Sequence, residues 1–198
     1  MIDMESAVSP FLTVAVAAFP PDCQSLAREA ALVMSAGVDH DYHSSVRRIK
    51  VMVNGAVVHI PERLHFTEKR NLTSRESSVL EHMMHCLRTR STDGYQRQEA
   101  LRHILPLKEP WVIPFVVLLA GEYVVEIIDE AVKALPVLDR AAYGAFFREN
   151  SSLMRLLDAR ASSYWDCYYR HAFRDRRQYP GIRFLDQIGL WAQQFVPN

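Results

Sequence analysis

A single β-hairpin signal stands in an otherwise helical pattern. Apolar and other side chains alternate along residues 49–53, Asn54-Gly55 follows, and a second apolar run ends at Pro61. Asn-Gly between two such runs is a strong hairpin signal, because both central residues of the tight turn take positive φ. The sequence therefore predicts one antiparallel hairpin over residues 47–60.

The rest of the chain has the apolar spacing of α-helices. From residue 73 onward, apolar residues recur three and four positions apart, and Thr73 with Glu76 matches a helix capping box. Short breaks separate the helices, as is typical of successive helices that pack antiparallel. After a first helix that follows Thr73, the predicted helices lie at residues 93–105, 111–120, 122–135, 139–150, 152–173 and 182–195.

Length and composition fit one globular domain. The chain has 198 residues, of which 49% are hydrophobic, and 7 are glycine. A chain of this length buries enough apolar surface for a core without disulfide or metal staples. We expect a single mainly α domain over residues 1–198, with N-terminal helices at 9–37, the hairpin at 47–60 and a helical core at 73–196.

Charge is balanced along the chain. Lys+Arg and Asp+Glu are both 23, so the formal net charge is zero with His neutral. A neutral chain lacks the general positive field by which many proteins bind nucleic acid. We therefore do not expect nucleic acid as a partner, and RNA binding through a local patch stays a second alternative.

Cysteine usage and the apolar runs bear on localisation. The three cysteines are spread without zinc or redox spacing, which predicts buried free thiols in a reducing compartment. The apolar run at 10–20 follows Asp3 and Glu5 with no basic residue, unlike a secretory signal. The run at 111–121 is far shorter than the ~20 residues that span a bilayer. We predict a cytoplasmic protein with no membrane association.

Residues 93–101 carry a family resemblance. The segment Asp-Gly-Tyr-Gln-Arg-Gln-Glu-Ala-Leu resembles the Asp-x-x-Val-Arg-x-x-Ala pattern of HEAT-type helical repeats, with Gln96 in the position of the Val. The resemblance covers about residues 93–135 and does not recur at the period of about 40–47 residues that an array requires. It implies stacked α-hairpins and a binding surface. The expected fold is thus a helical bundle or HEAT-like stack of antiparallel helices with one β-hairpin.

Residues 81–86 hold the strongest metal-binding candidates. His82 and Cys86 are four residues apart and share a helix face, and imidazole with thiolate is a known pair of zinc ligands. The spacing of His82 and His85 differs from the zincin motif, in which two His lie four apart. The alternative interpretation is surface histidines beside a partly buried thiol, and we expect no cofactor. Further candidate ligands in the loop are Asp39, His40, Asp41 and His43.

Two carboxylates follow the most apolar helix. Glu122 and Glu126 are four residues apart, so a helix would place them on one face, where they repel unless a cation lies nearby. We expect an ion-pair network between helices, and the alternatives are a partner-facing charged patch and a catalytic pair. The candidate cations are Arg88, Arg90 and Arg97.

Aromatic and basic residues are concentrated in Tyr164–Tyr179. Helical spacing places Trp165, Tyr169 and Phe173 in one row, beside a core stripe that continues to Tyr168. Protein interfaces are enriched in aromatic residues and Arg. The interpretations are a core helix with solvated arginines, a protein interface, or a nucleic-acid surface.

We expect the chain to be a protein–protein interaction module that binds and occludes a partner protein, in the manner of an immunity protein that neutralises a bacterial toxin. The sequence has no nucleophile elbow and no Gly-rich phosphate loop, so an enzyme is the less favoured class. A metal-dependent hydrolase using His82 and Cys86 is the alternative, and a homodimer is compatible with the pattern. Replacing Trp165 and Arg170 together is expected to abolish binding with little effect on stability. The predicted partner-binding residues are Trp165, Tyr169, Arg170, Phe173, Arg174, Arg88, Arg90, Asp93, Glu122 and Glu126.

Overall fold

The structure is a computed structural model that describes residues 9–35, 46–65 and 78–195. Within these ranges it contains nine α-helices and one two-stranded antiparallel sheet, so the predicted mainly α class with one hairpin is confirmed. The helices are α1 Pro10–Val16, α2 Gln24–Ser35, α3 Ser78–Arg88, α4 Gly94–Ile104, α5 Ile113–Val117, α6 Val125–Ala134, α7 Arg140–Glu149, α8 Ser151–Tyr164 and α9 Pro180–Gln194. The strands are β1 Arg48–Val53 and β2 Ala56–Pro61.

The hairpin forms where the sequence predicts it. Val53 pairs with Ala56 across a two-residue turn, in which Asn54 has φ 49° and Gly55 has φ 79°. One face of the sheet is buried in the core through alternate side chains. The backbone N–H of His59 in β2 donates to the carbonyl of Ala17, 2.7 Å away, just after α1. The hairpin is therefore tied to the N-terminal helices.

The apolar segment at 111–120 forms the centre of the core. Every residue in it is buried, as the sequence predicts. It is not one continuous α-helix, because the five-residue α5 lies between the 3-10 turns Pro110–Val112 and Leu118–Gly121. The chain then runs extended at Glu122 before α6 begins.

Local signals fix several helix starts. The Asp93 carboxylate accepts hydrogen bonds from the backbone N–H of Tyr95 and Gln96 at the start of α4, and Asp139 caps α7 in the same way. The predicted capping box at Thr73 and Glu76 lies outside the described residues. Such caps each contribute about 1 kcal/mol.

The last helix begins earlier than predicted. Pro180 is its first residue, where the missing N–H of proline costs nothing. Gly181 is the second residue of this helix, and a Cβ at this position would lie 2.7 Å from the carbonyl oxygen of Ala120. These two residues therefore start α9 and allow it to approach the central segment closely.

Among the described residues, no helix has both the length and the apolar character needed to cross a bilayer. All three cysteines are free thiols, as predicted. Cys86 is buried and Cys23 half-buried, whereas Cys167 is exposed, contrary to the prediction.

Candidate functional site

The end of α8 is a π-helix. After Tyr164 the helix continues as a π-helical turn over Trp165–Tyr169. A π turn holds more residues than an α turn, so the side chains after it are rotated relative to the α-helical register. Tyr168 lies within this turn and its side chain is 61% exposed, so the prediction that it continues the core stripe of Leu157 and Ala161 is wrong.

Three rings of the predicted aromatic row anchor this turn to the rest of the fold. Trp165, Tyr169 and Phe173 are half-buried against a small apolar cluster. The indole N–H of Trp165 donates to the carbonyl of Phe173 at 2.7 Å, and the Tyr169 hydroxyl donates to the carbonyl of Tyr123, also at 2.7 Å. The residues of the cluster are Ile128, Ala161, Tyr179 and Ile182.

A line of tyrosine rings runs over the outside of this anchor. The ring centre of Tyr164 lies 6.2 Å from that of Tyr123 and 6.4 Å from that of Tyr168. Tyr123 is 55% exposed, so both ends of the line reach solvent. We call Tyr123, Tyr164 and Tyr168 the tyrosine edge.

Exposed arginines follow the tyrosine edge in the chain, and Arg170 is two positions after Tyr168. The Arg170 guanidinium lies 5.6 Å from the Trp165 ring centre and pairs with Asp166 at 3.0 Å, which holds it in place on the surface. Arg174 and Arg177 are exposed, and in the described parts of the chain their side chains contact no carboxylate within ion-pair distance. This surface therefore offers aromatic area together with positive charge.

A second group of charges is buried nearby. Glu122 is 3% exposed, and both of its carboxylate oxygens accept hydrogen bonds from Nη2 of Arg63 at 2.7 Å. Nη2 of Arg97 lies 3.5 Å from the same carboxylate. The predicted ion pair between Glu122 and a preceding helix thus forms with Arg97, the third candidate cation.

The predicted pairing of Glu122 with Glu126 on one helix face is wrong. Glu122 has ψ 158° and lies before α6, whereas Glu126 is in its first turn and exposed. The helix starts three residues later than predicted, so the spacing of four does not bring the carboxylates together.

Glu62 forms a second ion-pair centre beside Glu122. It accepts from Nη2 of Arg160 at 2.8 Å and lies 3.5 Å from Nε of Arg47. Burial alone would raise the pKa of Glu62, but the hydrogen bond from Arg160 and the charges of Arg160, Arg47 and Arg90 outweigh it. The pKa of Glu62 is therefore lowered.

Arg90 crosses between these centres and is 3% exposed. Its Nε donates to the Pro61 carbonyl at 3.1 Å and its Nη2 to the Glu62 carbonyl at 2.7 Å. Its Nη1 is buried and has no hydrogen-bond partner among the described residues. Burial lowers the pKa of Arg90 to about 10, and the like charges of Arg63 and Arg97 act in the same direction.

The metal candidates lie on α3. Cys86 is fully buried, and burial raises the pKa of its thiol. Nδ1 of His82 lies 3.3 Å from a Glu109 oxygen, and the His85 ring stacks on His103 with 4.1 Å between ring centres. Within the described ranges, no three His, Cys, Asp or Glu side chains are placed to hold a metal ion. The loop candidates at 39–43 lie outside those ranges.

The predicted partner-binding residues fall into two groups. Arg88, Arg90 and Glu122 are buried beneath the surface, and Asp93 caps α4. The exposed ones are Asp93, Glu126, Arg170 and Arg174, while the three rings of the row are half-buried.

Sequence reasoning missed four residues that complete these sites: Glu62, Arg63, Arg160 and Tyr123. The only local signal for the first two is a charged pair directly after Pro61, at the end of β2. Glu62 and Arg160 are 98 positions apart in sequence, so periodicity gives no sign of their contact.

Comparisons of the chain with protein-family models, with curated proteins and with solved structures found no match.

Proposed function

We propose that the chain is a protein-binding module whose tyrosine edge, with Arg170 and Arg174, binds an acidic surface of a partner protein. The observation that carries the proposal is the exposure of Tyr168, a large ring presented beside arginines by a π-helical turn. Tyr and Arg are the residues that most often dominate binding energy at protein interfaces.

Preorganisation supports this role. Arg170 is fixed by Asp166 and Trp165, and the backbone of Tyr123 is held by the Tyr169 hydroxyl. Side chains already held in place lose less entropy on binding. The rings beneath the edge therefore act as its support, and the exposed residues make the contacts.

Charge defines the partner. In the segment from Asp166 to Arg177, the exposed arginines Arg170, Arg174 and Arg177 outnumber the exposed carboxylates Asp166 and Asp175, and Asp166 is paired with Arg170. An acidic face on the partner complements this surface and raises the association rate. The chain occludes that face sterically, as an immunity protein occludes a toxin. We place the complex in the cytoplasm, because all three thiols are free.

The test compares two double variants in the full chain. In Tyr168→Ala/Arg170→Ala the proposed contacts are removed. Tyr95→Ala/Arg102→Ala is the matched control, because it removes an exposed Tyr and an exposed Arg from α4, far along the sequence from the π-helix. Proteins retained from a lysate of the native source are identified, purified and titrated against each variant.

We expect the wild-type chain to form a one-to-one complex with an acidic protein. Tyr168→Ala/Arg170→Ala should lower the affinity of this complex by about a hundredfold, as for two hot-spot residues. The control variant is expected to bind like the wild type. Equal loss in both variants would contradict the proposal, as would a retained species that nuclease removes. If the wild type is a dimer and Tyr168→Ala/Arg170→Ala is a monomer, the tyrosine edge binds a second copy of this chain. That result would overturn the proposal.

A further inference from the structure

Between the hairpin and α8 lies a pocket with a volume of about 310 Å³. Its charged lining consists of Glu62, Arg63, Arg90, Glu122 and Arg160, and apolar and aromatic walls complete it. A cavity of this size is at the lower end of the range for small-molecule sites. The walls are Ile49, Leu118, Gly121 and Tyr164.

Positive charge exceeds negative charge around this pocket. Its lining contains three arginines, Arg63, Arg90 and Arg160. A fourth, Arg97, is outside the lining and contacts the Glu122 carboxylate. Against these four guanidinium groups stand the carboxylates of Glu62 and Glu122, so two positive charges are in excess. Arg47, which also contacts Glu62, is left out of this count because its side chain is 82% exposed to solvent. Fully compensated buried charges are the rule in proteins, because an uncompensated one is costly to desolvate.

The guanidinium groups also retain free donors. Nη2 of Arg160 donates a hydrogen bond to the Glu62 carboxylate, whereas its Nε and Nη1 make no hydrogen bond among the described residues. The Arg160 side chain is 32% exposed. Deeper in the pocket wall, Nη1 of Arg90 has no partner in the same part of the chain. A guanidinium has five N–H donors in a fork that matches oxyanions.

We propose that this pocket binds the phosphate group of a small phosphate monoester. The two excess positive charges match the dianionic form of such a group at neutral pH. Arg160 donates to the phosphate oxygens from the accessible side, and Arg63 and Arg90 supply positive charge from within. Ile49, Leu118 and the Tyr164 ring contact the organic part of the ligand. The site is distinct from the proposed protein interface, although Tyr164 borders both.

The probe is phenyl phosphate, titrated calorimetrically into the full chain at pH 7.5, with benzoate as a singly charged analogue. We expect saturable one-to-one binding of phenyl phosphate, and binding of benzoate weaker by about tenfold. Arg160→Gln removes the accessible fork and is expected to weaken phenyl phosphate binding by about tenfold or more. Arg155→Gln is the matched control, because Arg155 is on the same helix and, among the described residues, its side chain donates only to Ser152 on the surface.

A gain of affinity gives an independent check. Glu62→Gln removes a competing carboxylate and frees Arg160, so phenyl phosphate is expected to bind this variant several-fold more tightly than the wild type. That result supports the proposal even if circular dichroism shows that Arg160→Gln does not fold. Absence of saturable binding to the wild type up to roughly 10 mM phenyl phosphate would overturn it. Equal weakening by Arg155→Gln, or no tightening in Glu62→Gln, would also overturn it.

Discussion

The side-chain amide of Asn150 forms hydrogen bonds with both backbone groups of Met52. Its Oδ1 accepts from the Met52 N–H at 2.8 Å, and its Nδ2 donates to the Met52 carbonyl at 2.9 Å. The amide thus takes the place that a third strand would occupy beside β1. It joins the hairpin to the junction of α7 and α8 across 98 positions of sequence.

Asn150→Ala is expected to lower the free energy of unfolding by about 2–3 kcal/mol, because it leaves two backbone groups of Met52 without partners in a largely buried place. Asn150→Asp keeps the acceptor but sets a buried carboxylate against the carbonyl oxygens of Met52 and Phe146, so its loss should be at least as large. Denaturant titration followed by circular dichroism measures both. An alanine variant as stable as the wild type would show that the amide does not hold the hairpin.

Glu122→Gln is expected to lower the free energy of unfolding by about 3 kcal/mol, because the buried guanidinium of Arg97 and the half-buried guanidinium of Arg63 would lose their counter-ion. Glu126→Gln is the control, since its carboxylate is exposed, and its effect should stay within about 0.5 kcal/mol. Chemical denaturation of the two variants in the same buffer provides the comparison. Similar losses in both would contradict a structural role for the buried ion pair.

His85 is expected to make the fold less stable in acid. Burial, followed by the charges of His103, Arg88 and His82, lowers the pKa of His85 from 6.5 to about 4. The unfolded chain therefore takes up this proton at higher pH than the folded chain, and the free energy of unfolding falls as the pH drops from 6.5 toward 4. His85→Gln should reduce this dependence, while His59→Gln, which changes an exposed ring, should not.

Nuclear magnetic resonance gives the direct measurement for His85. Its ring protons should titrate with a midpoint near pH 4 in the folded protein. A midpoint near 6.5 would mean that the stacked pair of His85 and His103 is open to solvent.

Trp165 and Tyr168 are expected to differ in their effect on stability. Trp165→Ala removes a half-buried ring and its hydrogen bond to Phe173, and should cost about 2 kcal/mol, roughly half the value for a fully buried aromatic. Tyr168→Ala removes an exposed ring and should cost less than about 0.5 kcal/mol. Thermal unfolding of the two variants measures this difference, which is expected if Trp165 stabilises the fold and Tyr168 only contacts the partner. The sequence-based expectation is that replacing Trp165 together with Arg170 has little effect on stability. The half-buried ring of Trp165 and its hydrogen bond to Phe173 lead us to expect a loss instead.

Much of the secondary structure was predictable from the sequence because it depends on nearby residues. Asn54-Gly55 specifies the hairpin turn by its positive φ angles, and Asp93 specifies the start of α4 by capping its first N–H groups. Such signals act over three or four positions, so they hold whatever the chain does elsewhere.

The register of the aromatic helix was not predictable in the same way. Ideal α-helical spacing places Tyr168 in the core, yet the turn at Trp165–Tyr169 is π-helical. The π turn allows Trp165 and Tyr169 to reach acceptors at Phe173 and Tyr123. Those acceptors are fixed by packing, which local periodicity does not contain.

The sequence by itself determined the mainly α class, the hairpin and the concentration of rings and arginines after residue 164, since each follows from short-range spacing. Only the tertiary structure decided which charges meet. Arg63 contacts Glu122 and Arg160 contacts Glu62 because the hairpin, the central segment and α8 pack together. The energy of a buried ion pair depends on its distance and its exclusion from water, and neither quantity exists until the chain is folded.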